Sequence, residues 1–416
     1  MQRVRMSLPY FQTFDWEAEV VTVNENFNDV TKDELLLETI PQSIKVYKVK
    51  AFSKYYTSKV GLGSLAIRSI WFYLVKVNKL LKTNSYDLIY FSTTQFPVCV
   101  LGVYWKHKFG VPFVIDMQDP WHSIYYQNKP RREQPSKYWF SYRFNKFLEP
   151  LAMKKVDGLI SVSKAYIKTL QHRYKETLRV PVSVITFGAS EKDFVIARKN
   201  MSLLKSAFIR KEGQTHLVYV GRGGNDIQEA LRILFTAFKK GLLEDPELFK
   251  RLNFHFLGTS YAPNGKGNAT IKPLATEMGV LQFIEEKTDR ISYFDGIKTL
   301  LDADGLIIPG SNDPEYTASK IFPYILAKKP LLAIFNPLSS ASDILRECNA
   351  GSTVNLLDAE EAILNTYSFL LHLLRDPIYR NETNWDKFNS YSAENMTRRQ
   401  CELFDLVIAE NNQKMI

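Results

Sequence analysis

Hydrophobic residues between Ser64 and Lys82 recur at intervals of three and four: Leu65, Ile67, Ile70, Trp71, Leu74, Val77 and Leu81. That spacing gathers them on one stripe of a helix, so the segment is expected to pack one face on a core. The pattern then changes. Asp87-Leu-Ile-Tyr-Phe91 is a short apolar run of the kind used by strands buried on both faces. Residues 98–109 return to a helical pattern that stops at Gly110, and Phe113-Val-Ile-Asp116 is the next short run. A further helix leads to Asp157-Gly-Leu-Ile-Ser-Val-Ser163, and Val182-Ser-Val-Ile185 closes the series. Near the start, Glu17-Ala-Glu-Val-Val-Thr-Val23 reads as a strand because it is β-branched and bounded by Asp15 and Asn24.

Short apolar strands alternating with helices imply βα units and a parallel sheet with helices on both faces. The same grammar restarts at Leu217-Val-Tyr-Val220, which runs into Gly221-Arg-Gly-Gly224 and a helix over 226–238. Strand-like runs recur at Phe254–Leu257, Gly305–Ile308 and Leu331–Ile334, and the stretch from Asp358 is helical, interrupted near Pro377 and 381–384. A chain of 416 residues exceeds what one core usually serves. The simplest account is two α/β halves joined near 195–213.

Composition adds exclusions. At 45% hydrophobic and 24% charged residues the chain is ordinary globular protein. Its three cysteines, Cys99, Cys348 and Cys401, are far apart and form no metal-ligand spacing, so neither a disulfide framework nor a metal site is expected. No apolar run approaches the roughly 18 residues of a spanning helix, and the N-terminus lacks the layout of a secretory signal; a cytoplasmic, soluble or peripheral protein is expected.

Charge changes the picture more. The net charge is +10, and the excess lies wholly in the first half, where residues 1–195 hold 28 Lys and Arg against 17 Asp and Glu. No acid occurs between Glu38 and Asp87, whereas nine cations do, interleaved with Tyr47, Phe52, Tyr55, Tyr56, Trp71, Phe72 and Tyr73. Such a stretch suits an anionic lipid surface, a nucleic acid, or no partner beyond solvent. No nucleic-acid motif accompanies it, which favours lipid over nucleic acid.

In an open parallel sheet, ligands bind beyond the carboxyl ends of the strands. The most informative such segment is Pro309-Gly-Ser-Asn-Asp-Pro-Glu-Tyr-Thr-Ala-Ser-Lys-Ile-Phe-Pro-Tyr324. A strand enters a Gly/Asn/Asp/Pro loop, and Thr317-Ala-Ser319 is expected to open a helix with Lys320 in its first turn. Unpaired N–H groups there, with Thr317 and Ser319 as donors and Lys320 as a full charge, suit a diphosphate.

This segment resembles the donor-binding motif of glycosyltransferase family 4, a Glu-x7-Glu that straddles a loop and a helix start. The resemblance places Glu315 on the first acid, which contacts the donor sugar. The second falls on Pro323, a departure at the position that binds the ribose. Gly110-Val-Pro-Phe-Val-Ile-Asp-Met-Gln-Asp-Pro-Trp121 resembles the family's D-x-R-D-P-W segment, with Gln118 in place of Arg and Asp119 facing acceptor and sugar. Arg222, within Gly221-Arg222-Gly223-Gly224, matches an arginine used on the diphosphate; the lysine that commonly follows is replaced by Asn225 and Asp226, leaving that role to Lys320.

The implied fold is α/β, with two Rossmann-like (GT-B) domains facing across a cleft: an acceptor domain over 1–195, a nucleotide-sugar domain over 213–385, and a C-terminal helix over 386–416 packing back on the first. Residues 2–23 resemble the family's first helix and second strand. The first strand and its glycine loop are missing, so some 15–25 residues of upstream coding sequence are expected.

Plainer readings stand beside these. Gly221–Gly224 can be a tight turn, Asp116 can buttress a loop, and Glu315 can serve only the helix dipole. Asp302-Ala-Asp304 precedes a strand and reads as a turn, not as a metal-binding D-x-D. His107 and His122 read as structural, and Glu286–Arg290 as a charged loop. The implied activity is transfer of a sugar from a nucleotide donor to a hydroxyl of a saccharide or lipid-linked saccharide, with retention and without a metal. Glu315 and Asp119 would be its catalytic groups; Gly221, Arg222, Gly223, Gly224, Thr317, Ser319 and Lys320 would hold the donor. A non-catalytic sugar-nucleotide-binding protein and a sugar-nucleotide epimerase or hydrolase remain open on the same fold.

Overall fold

The computed structural model of the chain describes residues 2–27, 33–60, 62–122, 127, 131, 134, 138–262, 265–314, 320–376 and 378–415. It divides into two units: residues 1–31, 40–188 and 393–416 form the first, and 32–39 with 189–392 the second. The helix Glu191–Lys199 therefore belongs to the second unit.

In the first unit the elements run α1 (Gln2–Ser7), β1 (Val20–Val23), β2 (Val46–Val49), α2 (Lys54–Thr57), α3 (Leu65–Thr83), β3 (Ile89–Ser92), α4 (Val100–Phe109), β4 (Phe113–Met117), α5 (Tyr138–Met153), β5 (Gly158–Ser161), α6 (Lys164–Arg173) and β6 (Val182–Val184). Strands β3-β4-β5-β6 form a parallel sheet in that order, and β1 pairs with β2, also parallel, as a separate ribbon. The apolar runs read from the sequence at 113–116 and 158–161 are buried throughout as β4 and β5, whereas β1 and β6 are half-buried. Helix α4 ends where Gly110 adopts a left-handed φ of 73°, a conformation that costs glycine nothing.

The second unit runs α7 (Glu191–Lys199), β7 (Thr215–Val220), α8 (Gln228–Glu244), α9 (Pro246–Phe249), β8 (Leu252–Leu257), α10 (Lys272–Glu277), β9 (Ile284–Lys287), α11 (Tyr293–Asp302), β10 (Gly305–Pro309), α12 (Ile321–Leu326), β11 (Leu331–Phe335), α13 (Ser340–Glu347), β12 (Ser352–Asn355), α14 (Ala359–Arg375) and α15 (Trp385–Asn389). Its six parallel strands stand in the order β12-β11-β10-β7-β8-β9. The chain then returns to the first unit as α16 (Ala393–Met415).

Two cores cover the two faces of the first unit's sheet. On one, α3, α4, α5 and α6 bury Ala66, Leu101, Trp105, Met153 and Ile167 against Phe113, Ile115 and Leu159. On the other, α1 and α16 bury Met6, Phe404 and Val407 against Val114 and Ile160. Alternate residues of β4 and β5 thus serve opposite cores, the period-two signature of strands.

Candidate functional site

The order of the second unit's strands reverses between β7 and β10: β8 and β9 follow on one side, β11 and β12 on the other. At such a switch point the connecting chains leave in opposite directions and open a crevice beyond the carboxyl ends. β7 and β10 pair only through Gly305 with Leu217 and Leu306 with Val218. Past that point the end of β7 is held by a side chain instead. The Tyr324 hydroxyl accepts from the Val220 N–H at 2.7 Å and donates to the Val220 carbonyl at 3.2 Å.

Two of the expected donor residues flank this crevice, one after each central strand. Arg222 follows β7 and reaches back to Asp226, with Nη2 2.6 Å from Oδ2, and the pair is partly exposed. Lys320 sits at the N-cap of α12, one position before the helix, instead of inside its first turn; the helix begins late because only from Ile321 is it regular. Its ammonium is pushed down to about 8, first by burial and then by the repulsion of Arg222 and Arg290. Arg222 and Arg290 are thus close enough for their charge to act on Lys320. Among the described residues Lys320 has no carboxylate partner. Glu315, Thr317 and Ser319 lie outside the described residues.

The glycines of 221–224 have packing reasons of their own. A Cβ on Gly223 would lie 2.6 Å from Thr270 Oγ1 and 3.1 Å from Thr259 Cβ, and one on Gly221 would lie 2.4 Å from the Tyr219 hydroxyl. The Gly223 N–H donates to the Thr259 carbonyl at 2.8 Å, and the Tyr219 hydroxyl donates to the Arg222 carbonyl at 3.0 Å. Backbone is thereby pressed against the segment after β8. That fixes where Arg222 starts.

That segment is itself anchored by Glu286. The sequence reading put Glu286–Arg290 in a charged loop; instead Glu286 lies in β9 and is buried. Its carboxylate accepts from the Thr259 hydroxyl at 2.9 Å and from the backbone N–H of Thr270, Ile271 and Lys272 at 3.0, 3.1 and 2.8 Å. These contacts satisfy the start of α10, as a buried carboxylate must be satisfied. Arg290 lies beyond β9, its guanidinium 5.2 Å from the centre of the Tyr261 ring.

In the first unit, Asp119 follows β4 and lines a pocket of about 450 Å³ with Ser64, Ile67, Gln95, Phe96, Trp121 and Phe144 among its walls. Asp119 is exposed at the pocket mouth, and partial desolvation by its neighbours raises its carboxyl from the ordinary value. Trp121 is fixed by stacking on Phe96, with ring centres 5.5 Å apart, and by an Nε1–H bond to Asn145 Oδ1 of 3.2 Å. Asp116 is different in kind. It is wholly buried, and its Oδ2 accepts from Arg3 Nε at 2.8 Å, Gln118 Nε2 at 2.6 Å, Ser92 Oγ at 3.0 Å and the Tyr90 hydroxyl at 3.2 Å. The Asp116–Arg3 pair thus ties β4 to α1 inside the core. His122 is also in a structural setting: it is buried and contacts the Glu149 carboxylate, which accepts from the Tyr174 hydroxyl at 2.9 Å.

Sequence reasoning missed Tyr324 as part of this arrangement, whereas the family resemblance places the Glu286–Arg290 region near the nucleotide base. Tyr324 stands four residues after Lys320, one helical turn on, which is the signal that would have linked them.

Two units, each built on a parallel sheet with its candidate residues after the strands, define the two-domain Rossmann-like (GT-B) fold. Solved structures share it. Sucrose-phosphate synthase from Thermosynechococcus elongatus superposes with a TM-score of 0.59 at 12% identity, covering 98% of this chain and 92% of that one. The N-terminal domain of Candida albicans trehalose-6-phosphate phosphatase gives 0.58 at 12% identity, covering 97% and 92%. HepE of Anabaena, in complex with UDP and glucose, gives 0.52 at 13% identity, covering 94% and 100%. Residues 50–188 match the model of the family described as Glycosyltransferase Family 4. A search of curated protein sequences returned no match.

Proposed function

We propose that the protein transfers a sugar from a nucleotide donor to a hydroxyl of a saccharide or lipid-linked saccharide. The observation that carries this reading is that Arg222 and Lys320 follow the two strands flanking the crevice, with Lys320 close enough to Arg222 and Arg290 to feel their charge. Three like charges, one of them largely buried and without a carboxylate partner among the described residues, are destabilising until an anion joins them. A nucleoside diphosphate has the charge and length to do so.

In the reaction, Arg222 and Lys320 neutralise the diphosphate as its bond to the sugar breaks. Fixed cations at the point where negative charge develops are usually the largest catalytic contribution. With them in place the diphosphate needs no metal. Glu315 orients the sugar, and Asp119 positions the acceptor hydroxyl or takes its proton. Thr317 and Ser319 donate to the phosphates, and Gly221, Gly223 and Gly224 let backbone approach them. The family resemblance implies retention at the anomeric carbon. The match over residues 50–188 and the fold shared with HepE, whose structure holds UDP and glucose, support UDP-sugars as the first donors to try. The basic first half supports an acceptor at the inner face of a membrane, reached from the cytoplasm, in polysaccharide or glycoconjugate synthesis.

One observation favours a second reading. Pro323 stands in α12 where the family motif has its second acid, and a binding protein without turnover would tolerate that loss. Incubation with a panel of nucleotide sugars, with and without membrane lipid extract, separates the readings. Transfer requires nucleotide release that depends on acceptor. Binding without release supports the non-catalytic protein, and free sugar or an epimer without acceptor supports a hydrolase or epimerase.

A further inference from the structure

Helix α5 is apolar on both sides. Its inner side buries Ala152 and Met153 in the core beside Glu149, which is 1% exposed. Its outward side carries Trp139 (64% exposed), Phe140 (44%), Phe147 (65%) and Leu151 (47%). At 100° per residue these fall on one stripe, together with the exposed cations Arg143, Lys146 and Lys154 just beyond the helix end. Arg143 lies over the Trp139 ring at 4.1 Å, so cation and aromatic are organised side by side.

The neighbouring helices continue this surface. α3, α4 and α5 lie on the same face of the sheet, and α4 packs against both others. Trp71 and Val75 of α3 and Tyr104 of α4 are exposed there. These helices also contribute Lys79, Lys82 and Lys108. Among α3, α4 and α5 the sole acid is the buried Glu149. Helices that present aromatic side chains and several cations, with no exposed carboxylate of their own, are complementary to one kind of surface. The rings fit the apolar edge of a lipid headgroup layer, and the cations fit its phosphates.

We infer that the outer face of α3, α4 and α5 docks on an anionic lipid bilayer, with α5 lying in the plane of the headgroups and Trp139, Phe147 and Leu151 inserted. This deepens the membrane-contact part of the proposed function and rests on that part alone. No helix among the described residues is long and apolar enough to cross a membrane, so attachment through this face would be reversible. Phe140 belongs both to this face and to the wall of the Asp119 pocket, which puts that pocket beside the bilayer.

The test is flotation of the full chain with vesicles of phosphatidylcholine alone or containing 30% phosphatidylglycerol (roughly the anionic content that gives a strong surface potential). Tryptophan emission and nucleoside diphosphate binding are followed on the same samples. The expected result is binding to anionic vesicles with a blue shift in emission. R143Q/K146Q should weaken it about 25-fold, about fivefold for each cation, and F147S/L151S by tenfold or more (about the effect of withdrawing two apolar side chains). Both variants should keep the wild-type melting temperature and nucleotide affinity. Absence of binding to anionic vesicles overturns the proposal, as does binding that F147S/L151S leaves intact. Self-association without lipid that F147S/L151S abolishes would also overturn it, by making this face a contact between copies of the chain. Loss of nucleotide binding in the wild type would instead count against the donor site and leave this surface standing.

Discussion

Arg3 in the first unit and Lys320 in the second are both withdrawn from water, and their surroundings are opposite. Arg3 is fully buried, yet its guanidinium meets the Asp116 carboxylate and the carbonyls of Ile185 and Thr186 at 2.7–3.0 Å. Lys320 has like charges for neighbours, and burial with repulsion lowers its proton affinity. A buried cation matched within the chain is part of the fold. One without a carboxylate partner among the described residues, at the mouth of a sheet, is the kind of charge an anionic ligand would stabilise. Both cations follow from the same rule about charge in low dielectric; what differs is who provides the anion.

The largest expected effect breaks the matched side. Arg3→Met leaves Asp116 buried with neutral donors only, and should cost about 3–5 kcal/mol of stability in urea denaturation. A loss below about 1 kcal/mol would show that the pair is dispensable. Lys320→Met should do the reverse: stability equal to or above wild type by the same measurement, but nucleoside diphosphate affinity by calorimetry weaker by on the order of ten- to a hundredfold, the worth of a charged hydrogen bond. If affinity is unchanged, Lys320 is not at the donor site.

A pH series sharpens the same contrast. The bound diphosphate requires the ammonium form, so affinity is full below the empty-site value near 8 and falls as pH rises through it, by up to about tenfold per unit. In Lys320→Met that decline should vanish. A wild-type affinity flat from pH 7 to 9 would contradict the assignment. The smallest effect concerns Arg222, whose partly exposed pairing with Asp226 holds it on the chain's own carboxylate. Asp226→Asn should release it and tighten diphosphate binding by no more than about fivefold, since exposed ion pairs are weak.

The fold was legible because its strands are central. Runs such as Phe113–Ile115 and Leu217–Val220 are continuously apolar, since both their faces are covered. β9 was not legible: Ile284-Glu-Glu-Lys287 is an edge strand of mostly polar residues, and Glu286 looks like a surface acid until the backbone N–H groups of α10 are brought to it. Arg3 was equally opaque, because its partner stands 113 positions away. The outward face of α5 escaped notice for another reason. Aromatic residues surround that helix on all sides in sequence, and only packing reveals which of them remain outside. Of the candidate donor residues, Arg222 and Lys320 lie within each other's field; the basic run of the first half is more diverse than its sequence suggests. Within it Lys76 covers Tyr47 and Phe52 packs on Phe72, while Tyr55, Tyr56 and Trp71 stay exposed.

Tyr324 carries a consequence of its own. By closing both hydrogen bonds of Val220, its phenol substitutes for a stretch of neighbouring strand and acts as a spacer that holds the tips of β7 and β10 apart. The gauge of the opening is therefore set by one ring, not by the cations on its rim. A smaller residue at 324 would let the two tips draw together and would retune which ligands enter, with every charge left in place.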